Sequence, residues 1–332
     1  MTTYPPNLDI DVVGFGNAHV DVLSHQDDAF IDEIGAIKGA MNLVDGDRSA
    51  ELYELVGKHT TVSGGSAANT VIGINSLGGE CGYIGRVAND DLGDVFVADM
   101  RRLAIVHTTP RAPSEDPTGR CIVFITPDGE RTLNTFLGAS NGLTSSDIDL
   151  DLVKRAKLLF LEGYLWDPPE AKAAMRYAAS EVSAGTKVAL TLSDQFCVER
   201  HRDSFLDLLD EHVDVVFANH HEIMSLFEVD QLDVATDMIQ ERVDLAAITL
   251  GADGSILITP DERIAIAADP VASVMDKTGA GDLYAAGVLY GLAQGYELER
   301  CGALGSIAAE EVIGHVGPRP EMSLRELAGE IA

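Results

Sequence analysis

Basic residues are scarce in this 332-residue chain: 23 lysines and arginines stand against 54 aspartates and glutamates, a formal charge of −31. That balance excludes a broad electrostatic footprint for nucleic acid or an anionic membrane, so a polyanionic ligand needs a local positive site instead. Aromatic residues make up only 6%, with a single tryptophan, while 46% of the chain is hydrophobic. Those proportions suit a helix-flanked sheet core. Cysteine is rare as well. Cys81, Cys121, Cys197 and Cys301 form no C-x-x-C pair and have no histidine at metal-ligand spacing, which argues against a zinc site or a disulfide framework and for small core residues in a reducing compartment. No stretch of 18 residues escapes polar interruption, and the opening MTTYPPNLD has no basic patch followed by an apolar run. A cytoplasmic location is the expectation.

What is present is a punctuated alternation of strand and helix patterns. LDIDVVGFGN (8–17) reads as a buried strand ending in a glycine turn, followed to about residue 62 by an acidic, weakly periodic excursion. Glycines bracket a helix over 64–79, and CGYIGRV resumes as a strand. CIVFITPDGERTLNTFL predicts two strands joined at Pro127-Asp128-Gly129, and this hairpin together with the excursion could form a second small sheet. After residue 150 the chain repeats strand then helix through KLLFLEGY, KVALTLS, VDVVFAN and LAAITL, which implies a parallel, doubly wound sheet. GADGSILIT and RIAIAA read as an antiparallel edge pair.

The stretch DKTGAGDLYAAG (276–287) carries the most chemistry. Two glycines in Gly279-Ala280-Gly281 let successive amides converge on one anion at the positive end of a helix dipole. Asp282 follows at once. A carboxylate beside an anion cradle makes sense where a hydroxyl must lose its proton next to a phosphate. The alternative is a glycine-rich helix start with Asp282 as a first-turn dipole partner.

Taken in order, GGSAAN (64–69), GRV-x-x-D-x-x-G (85–93), Asn219-His220-His221-Glu222 and DKTGAGD (276–282) resemble the ribokinase-like (PfkB) family of carbohydrate and nucleoside kinases across nearly the whole chain. The resemblance implies a single α/β domain over 1–332, a Rossmann-like doubly wound, mostly parallel sheet flanked by helices, with a small β-sheet lid from about 18–62 and 116–138. It implies Asp282 as the base toward the acceptor hydroxyl, with the amides of Gly279, Ala280 and Gly281 stabilising the migrating phosphoryl group. ATP and Mg²⁺ are the implied cofactors, the hydrated ion being ordered by Asn219 and Glu222. Those two residues also read as a helix cap with a first-turn acid. A monovalent cation such as K⁺ near the signature loop is a further implication. Thr249, Gly251 and Gly254 resemble the turn beside the nucleotide. Lys277 and Arg131 are candidates for phosphate contact, or else solvated cations.

For the acceptor, Asn17 and Asp21 leave the first strand while Gly64, Gly65 and Asn69 open the helix after the excursion. A carboxylate with two carboxamides can grip vicinal hydroxyls at strand ends of a parallel sheet. The competing reading of GFGNAH as a dinucleotide turn lacks its third glycine, with His19 in its place. Asn17-x-x-x-Asp21 is similar to the adenosine kinase pattern more than to that of ribokinases, which points to a nucleoside acceptor, adenosine first. Tyr164 offers a face for a purine and Asn42 a contact to a base edge. Glu162 is a candidate for sugar hydroxyls, so fructose, ribose or a related sugar is the second reading, and a non-catalytic nucleotide-binding regulator the third. The implied partners are the small-molecule acceptor and ATP, with neither nucleic acid nor membrane, in a monomer or homodimer.

Overall fold

The computed structural model describes residues 4, 5, 7–268, 271 and 273–331. The first half of the chain runs β1 (Ile10–Phe15), β2 (His19–His25), α1 (Asp28–Glu33), β3 (Met41–Leu43), α2 (Gly46–Leu55), β4 (Thr60–Gly64), α3 (Ser66–Leu77), β5 (Cys81–Ile84), α4 (Asp91–Arg102), β6 (Val106–His107), β7 (Thr118–Ile125) and β8 (Arg131–Gly138). The second half runs α5 (Leu150–Lys154), β9 (Ala156–Glu162), α6 (Pro169–Ser180), β10 (Lys187–Thr191), α7 (Gln195–His212), β11 (Val215–Asn219), α8 (His220–Phe227), α9 (Leu232–Gln240), β12 (Leu245–Thr249), β13 (Ser255–Ile258), β14 (Arg263–Ile266), α10 (Ala280–Ala293), α11 (Leu298–Ile313) and α12 (Leu324–Ala328).

Aliphatic runs without polar alternation become strands buried on both faces, as β1 shows with all six residues buried. Nine strands form one sheet in the order β14-β13-β12-β11-β10-β9-β1-β5-β6. The pairs from β6 to β12 are parallel, while β12–β13 and β13–β14 are antiparallel. Two hydrophobic cores flank this sheet, one including residues of α3, α4, α10 and α11, the other residues of α6 to α9. The α/β fold expected from the sequence is therefore the one observed, including the 13–14 edge pair. Strand order reverses at β1, whose neighbours β5 and β9 follow it on opposite sides. A crevice beyond the carboxyl ends of β1 and β9 is the consequence.

A second sheet of five strands, in the order β3-β8-β7-β2-β4, covers that crevice. The predicted hairpin is there: β7 and β8 pair antiparallel around the turn at 126–130. Alternation along these strands divides the sheet's two faces. Val22, Ile122 and Phe124 pack outward under Ile31, Ile34, Leu52 and Val56 from the α1 and α2 regions. Asp21, Cys121, Leu133, Thr135 and Leu137 face the cleft.

Helix α10 is hydrophobic on every side, with Leu283 through Gly291 all buried. It is packed between α3 and α11. A Cβ built on Gly287 would stand 2.3 Å from the Leu304 carbonyl carbon, so the absence of a side chain is what lets the two helices approach backbone to backbone. Among the described residues no helix is long and apolar enough to cross a membrane, and all four cysteines are free and buried.

Candidate active site

Between the two sheets lies a cleft of about 720 Å³. Its floor is made by Phe217, Ala218 and Ala247 from strand ends, its roof by the smaller sheet, and one end by the loop leading into α10. Asn17, Asp21, Gly65, Asn69, Tyr164, Asn219, Glu222, Thr249, Lys277, Gly279, Gly281 and Asp282, all singled out from sequence, line it.

Gly279 caps α10 in the left-handed region at φ 82°. The first amides of a helix have no partner within it. Among the described residues Leu283 N bonds back to Gly279 O at 2.8 Å, and Ala280 N donates to Lys277 O at 3.2 Å. This corrects one expectation. Of the three amides anticipated as a cradle, that of Ala280 closes the loop's own turn, while those of Gly279 and Gly281 have no hydrogen-bond partner among the described residues.

Asp282 is in the first turn of α10 and half-buried. Its two carboxylate oxygens are held from α3: Ser66 Oγ donates to Oδ1 at 2.6 Å and Asn69 Nδ2 to Oδ2 at 3.0 Å. Burial raises its pKa to about 6, and the charge of Asp21 adds to this, while the Ser66 and Asn69 donors oppose it. A carboxylate tuned this way is poised to take a proton near neutral pH. Ser66 was not anticipated. Nothing local marks it, because its partner lies 216 residues away.

Around this carboxylate several buried polar atoms lack partners: Asn17 Oδ1, Asn69 Oδ1 and His19 Nδ1. Buried polar atoms are normally satisfied, so these three leave hydrogen-bonding capacity beside the cleft that a polar ligand or water can take up. His19 Nε2 lies 3.4 Å from Asp21 Oδ1. Gly64 packs under Asp21, a Cβ there falling 2.8 Å from Oδ1. Glu162 has a structural role beside the one expected of it. Its carboxylate accepts from Asn17 Nδ2 at 2.7 Å, Asn17 N at 3.3 Å and Ala67 N at 2.8 Å, so it braces the end of β1 against α3 while also lining the cleft.

Asn42 is a second correction. Strand parity turns Met41 and Leu43 into the cleft and Asn42 away, where its Nδ2 donates to Leu133 O at 3.1 Å. Tyr164 does line the cleft, with its hydroxyl donating to Ser193 O at 3.2 Å. Phe196, which sequence reading missed, lines it too and is 70% exposed.

Asn219 and Glu222 form a reciprocal capping box at the start of α8: the Asn219 side chain accepts from the Glu222 amide at 3.0 Å, and Glu222 accepts from the Asn219 amide at 2.9 Å and from its side chain. Burial pushes Glu222 up to about 7, with the Asn219 amide opposing. The helix-cap reading of this pair is the one observed, and its acid also borders the cleft. Thr249 reaches the cleft, whereas Gly251 and Gly254 close the turn behind it, Leu250 N bonding Gly254 O at 2.8 Å. Arg131 does not line the cleft and is paired with Asp276. Among the described residues no cluster of three or more His, Cys, Asp or Glu side chains could hold a metal directly.

Comparison with known proteins places this geometry among relatives. The profile of the pfkB family carbohydrate kinases matches residues 31–324. The crystal structure of adenosine kinase from Sinorhizobium meliloti is 45% identical, covering 98% of this chain and 100% of that one, with a TM-score of 0.90. A probable sugar kinase from Rhizobium etli CFN 42 is 43% identical, with coverage of 97% and 98% and the same TM-score of 0.90. Adenosine kinase from Saccharomyces cerevisiae is 29% identical over 77% of this chain and 79% of its own length.

Proposed function

The chain belongs to the pfkB family of carbohydrate kinases, and from that premise we propose that it transfers the γ-phosphoryl group of ATP to the 5′-hydroxyl of a nucleoside, adenosine first. One observation carries the reading: Asp282, tuned to about 6, shares an end of the cleft with Gly279 and Gly281, whose amides have no partner among the described residues. Asp282 takes the proton of the acceptor hydroxyl. The two amides hydrogen-bond the oxygens of the migrating group, in a pocket whose apolar walls strengthen such contacts. Asn17, Asp21 and Asn69 hold the acceptor's other hydroxyls, the free Oδ1 atoms of both asparagines supplying acceptors.

The cleft's mouth supports a nucleoside over a plain sugar. Phe196 at 70% exposure, Leu43 at 59% and Met41 at 50% line it beside Tyr164. Apolar surface of that size, left open in one place, matches the faces of a flat base better than a ring of hydroxyls. The likeness to a probable sugar kinase keeps a neutral sugar as the second reading. Mg²⁺ suits the hard oxygens of Asn219 and Glu222, which would hold it through its waters because their inner positions are engaged with each other. When bound, the ion neutralises charge on the nucleotide phosphates, and it favours the ionised form of Glu222.

The test is acceptor-dependent ADP release from Mg-ATP across adenosine, inosine, guanosine, ribose and fructose. A response confined to purine nucleosides is expected; turnover with a sugar alone overturns the nucleoside reading. Turnover should also rise with pH through about 6, as Asp282 loses its proton. Ser66→Ala removes a donor that favours the charged form, so the acidic limb should move up by about one pH unit. A limb that does not move detaches Ser66 from the base.

A further inference from the structure

Arg131 opens β8, directly after the hairpin turn of the smaller sheet. Its guanidinium is paired with the Asp276 carboxylate, the two side chains being 11% and 7% exposed, and Nη1 also donates to Thr278 Oγ1 at 3.3 Å. Asp276 is the node of the loop before α10. It accepts from Thr278 N at 3.0 Å, Thr278 Oγ1 at 2.7 Å and Gly317 N at 2.9 Å. The turn it captures at Gly317 continues into Pro318, which abuts Gly279. One carboxylate thus joins the hairpin, the loop that presents the free amides and the C-terminal turn that backs them.

We propose that Arg131 and Asp276 are positioning residues, the hairpin guanidinium holding the carboxylate that shapes residues 276–279, so that closing the smaller sheet and aiming the Gly279 and Gly281 amides are one event. This rests on the kinase reading for the use made of those amides. A device of this kind must also release. Arg131 Nε is buried without a partner among the described residues, so the pairing leaves one donor unsatisfied, which lowers its net stability. Two discrete arrangements with a small free-energy gap are what a lid that opens at every turnover needs. Arg131 acts here through Asp276; a guanidinium that swung onto phosphate would instead act on nucleotide directly.

Hydrogen exchange on the ligand-free full chain separates the two. In wild type the amides of Thr278, Ala280 and Gly317 are hydrogen-bonded. Arg131→Ala should speed exchange in peptides covering 276–283 and 313–319 by roughly tenfold, as local opening becomes cheaper. Unchanged exchange in the absence of nucleotide overturns the proposal. The second arm is turnover of Arg131→Ala, Asp276→Asn and the double variant with Mg-ATP and adenosine. Each single change should lower kcat by about tenfold and the double by no more than the worse single, with the acceptor KM within about twofold of wild type. Losses that multiply, or a defect confined to Arg131→Ala, overturn it. A wild type without acceptor-dependent ADP release counts against the kinase reading, and the exchange arm then decides the latch alone.

Discussion

Asp282→Asn is expected to lower kcat by a factor on the order of 10² to 10⁴ while nucleotide affinity stays within a few fold, because general-base catalysis contributes in that range and the anion-facing amides are untouched. The new carboxamide fits the site. Ser66 Oγ can donate to its oxygen, and Asn69, whose Oδ1 is unpartnered, can turn over to accept from its nitrogen. Stability should move the opposite way from rate. An unfolded aspartate ionises near 3.8, whereas the folded carboxyl does so near 6 because burial penalises its charge. Wild type therefore loses stability as pH rises from about 4 to about 6, and the uncharged variant does not. The expected result is a higher Tm for Asp282→Asn at pH 7 and a gap that closes toward pH 4. Near-normal turnover with adenosine, measured by ADP release, removes Asp282 from the role of base.

Gly279→Ala attacks the other half of the same chemistry and should damage nucleotide binding as well as turnover. At φ 82° a side chain is strained, at a cost of roughly 1–2 kcal/mol. The added Cβ also meets the Pro318 Cα and carbonyl oxygen at 2.7 Å, backbone atoms that cannot swing aside. The loop must shift, and the amides of Gly279 and Gly281 lose their aim. A misplaced oxyanion donor typically costs about 3–4 kcal/mol, so kcat should fall by on the order of 10² to 10³. Titration of ATP by intrinsic fluorescence or calorimetry should show weakened binding here and near-normal binding for Asp282→Asn. Equal nucleotide affinity in the two variants would sink the assignment of the anion site to this loop.

Much of this site was legible in sequence because its chemistry is written in local patterns. DKTGAGD encodes both a positive-φ turn and the first turn of α10, and PDGE encodes the hairpin. Long-range partners are another matter. Ser66 reaches Asp282 and Arg131 reaches Asp276 across separations that no window of residues spans. Asn42 failed for want of strand parity, a single register that only the pairing of β3 with β8 fixes. The bracing of Asn17 and Ala67 by Glu162 was equally out of reach, since its partners lie far away in the chain. Ala280 shows the finest limit: three neighbouring amides look equivalent in sequence, and one of them is spent on the loop's own turn.

The tight seating of α10 has a consequence for how ligands of this protein can be designed. With Gly287 against the Leu304 backbone and Gly73 of α3 against Ala286, the helix has no room to slide or rotate. The wall that α10 contributes to the cleft is therefore fixed, and the adjustable part at that end is the loop 276–279 that precedes the helix. The roof rests on smaller separate cores and meets the loop before α10 through the Arg131–Asp276 pair. Inhibitor series grown toward Met41 and Leu43, which are exposed at the cleft, should therefore tolerate bulk that the wall of α10 rejects, and crystal forms superposed on α10 should differ chiefly in the five-stranded sheet and the loop 276–279 paired to it.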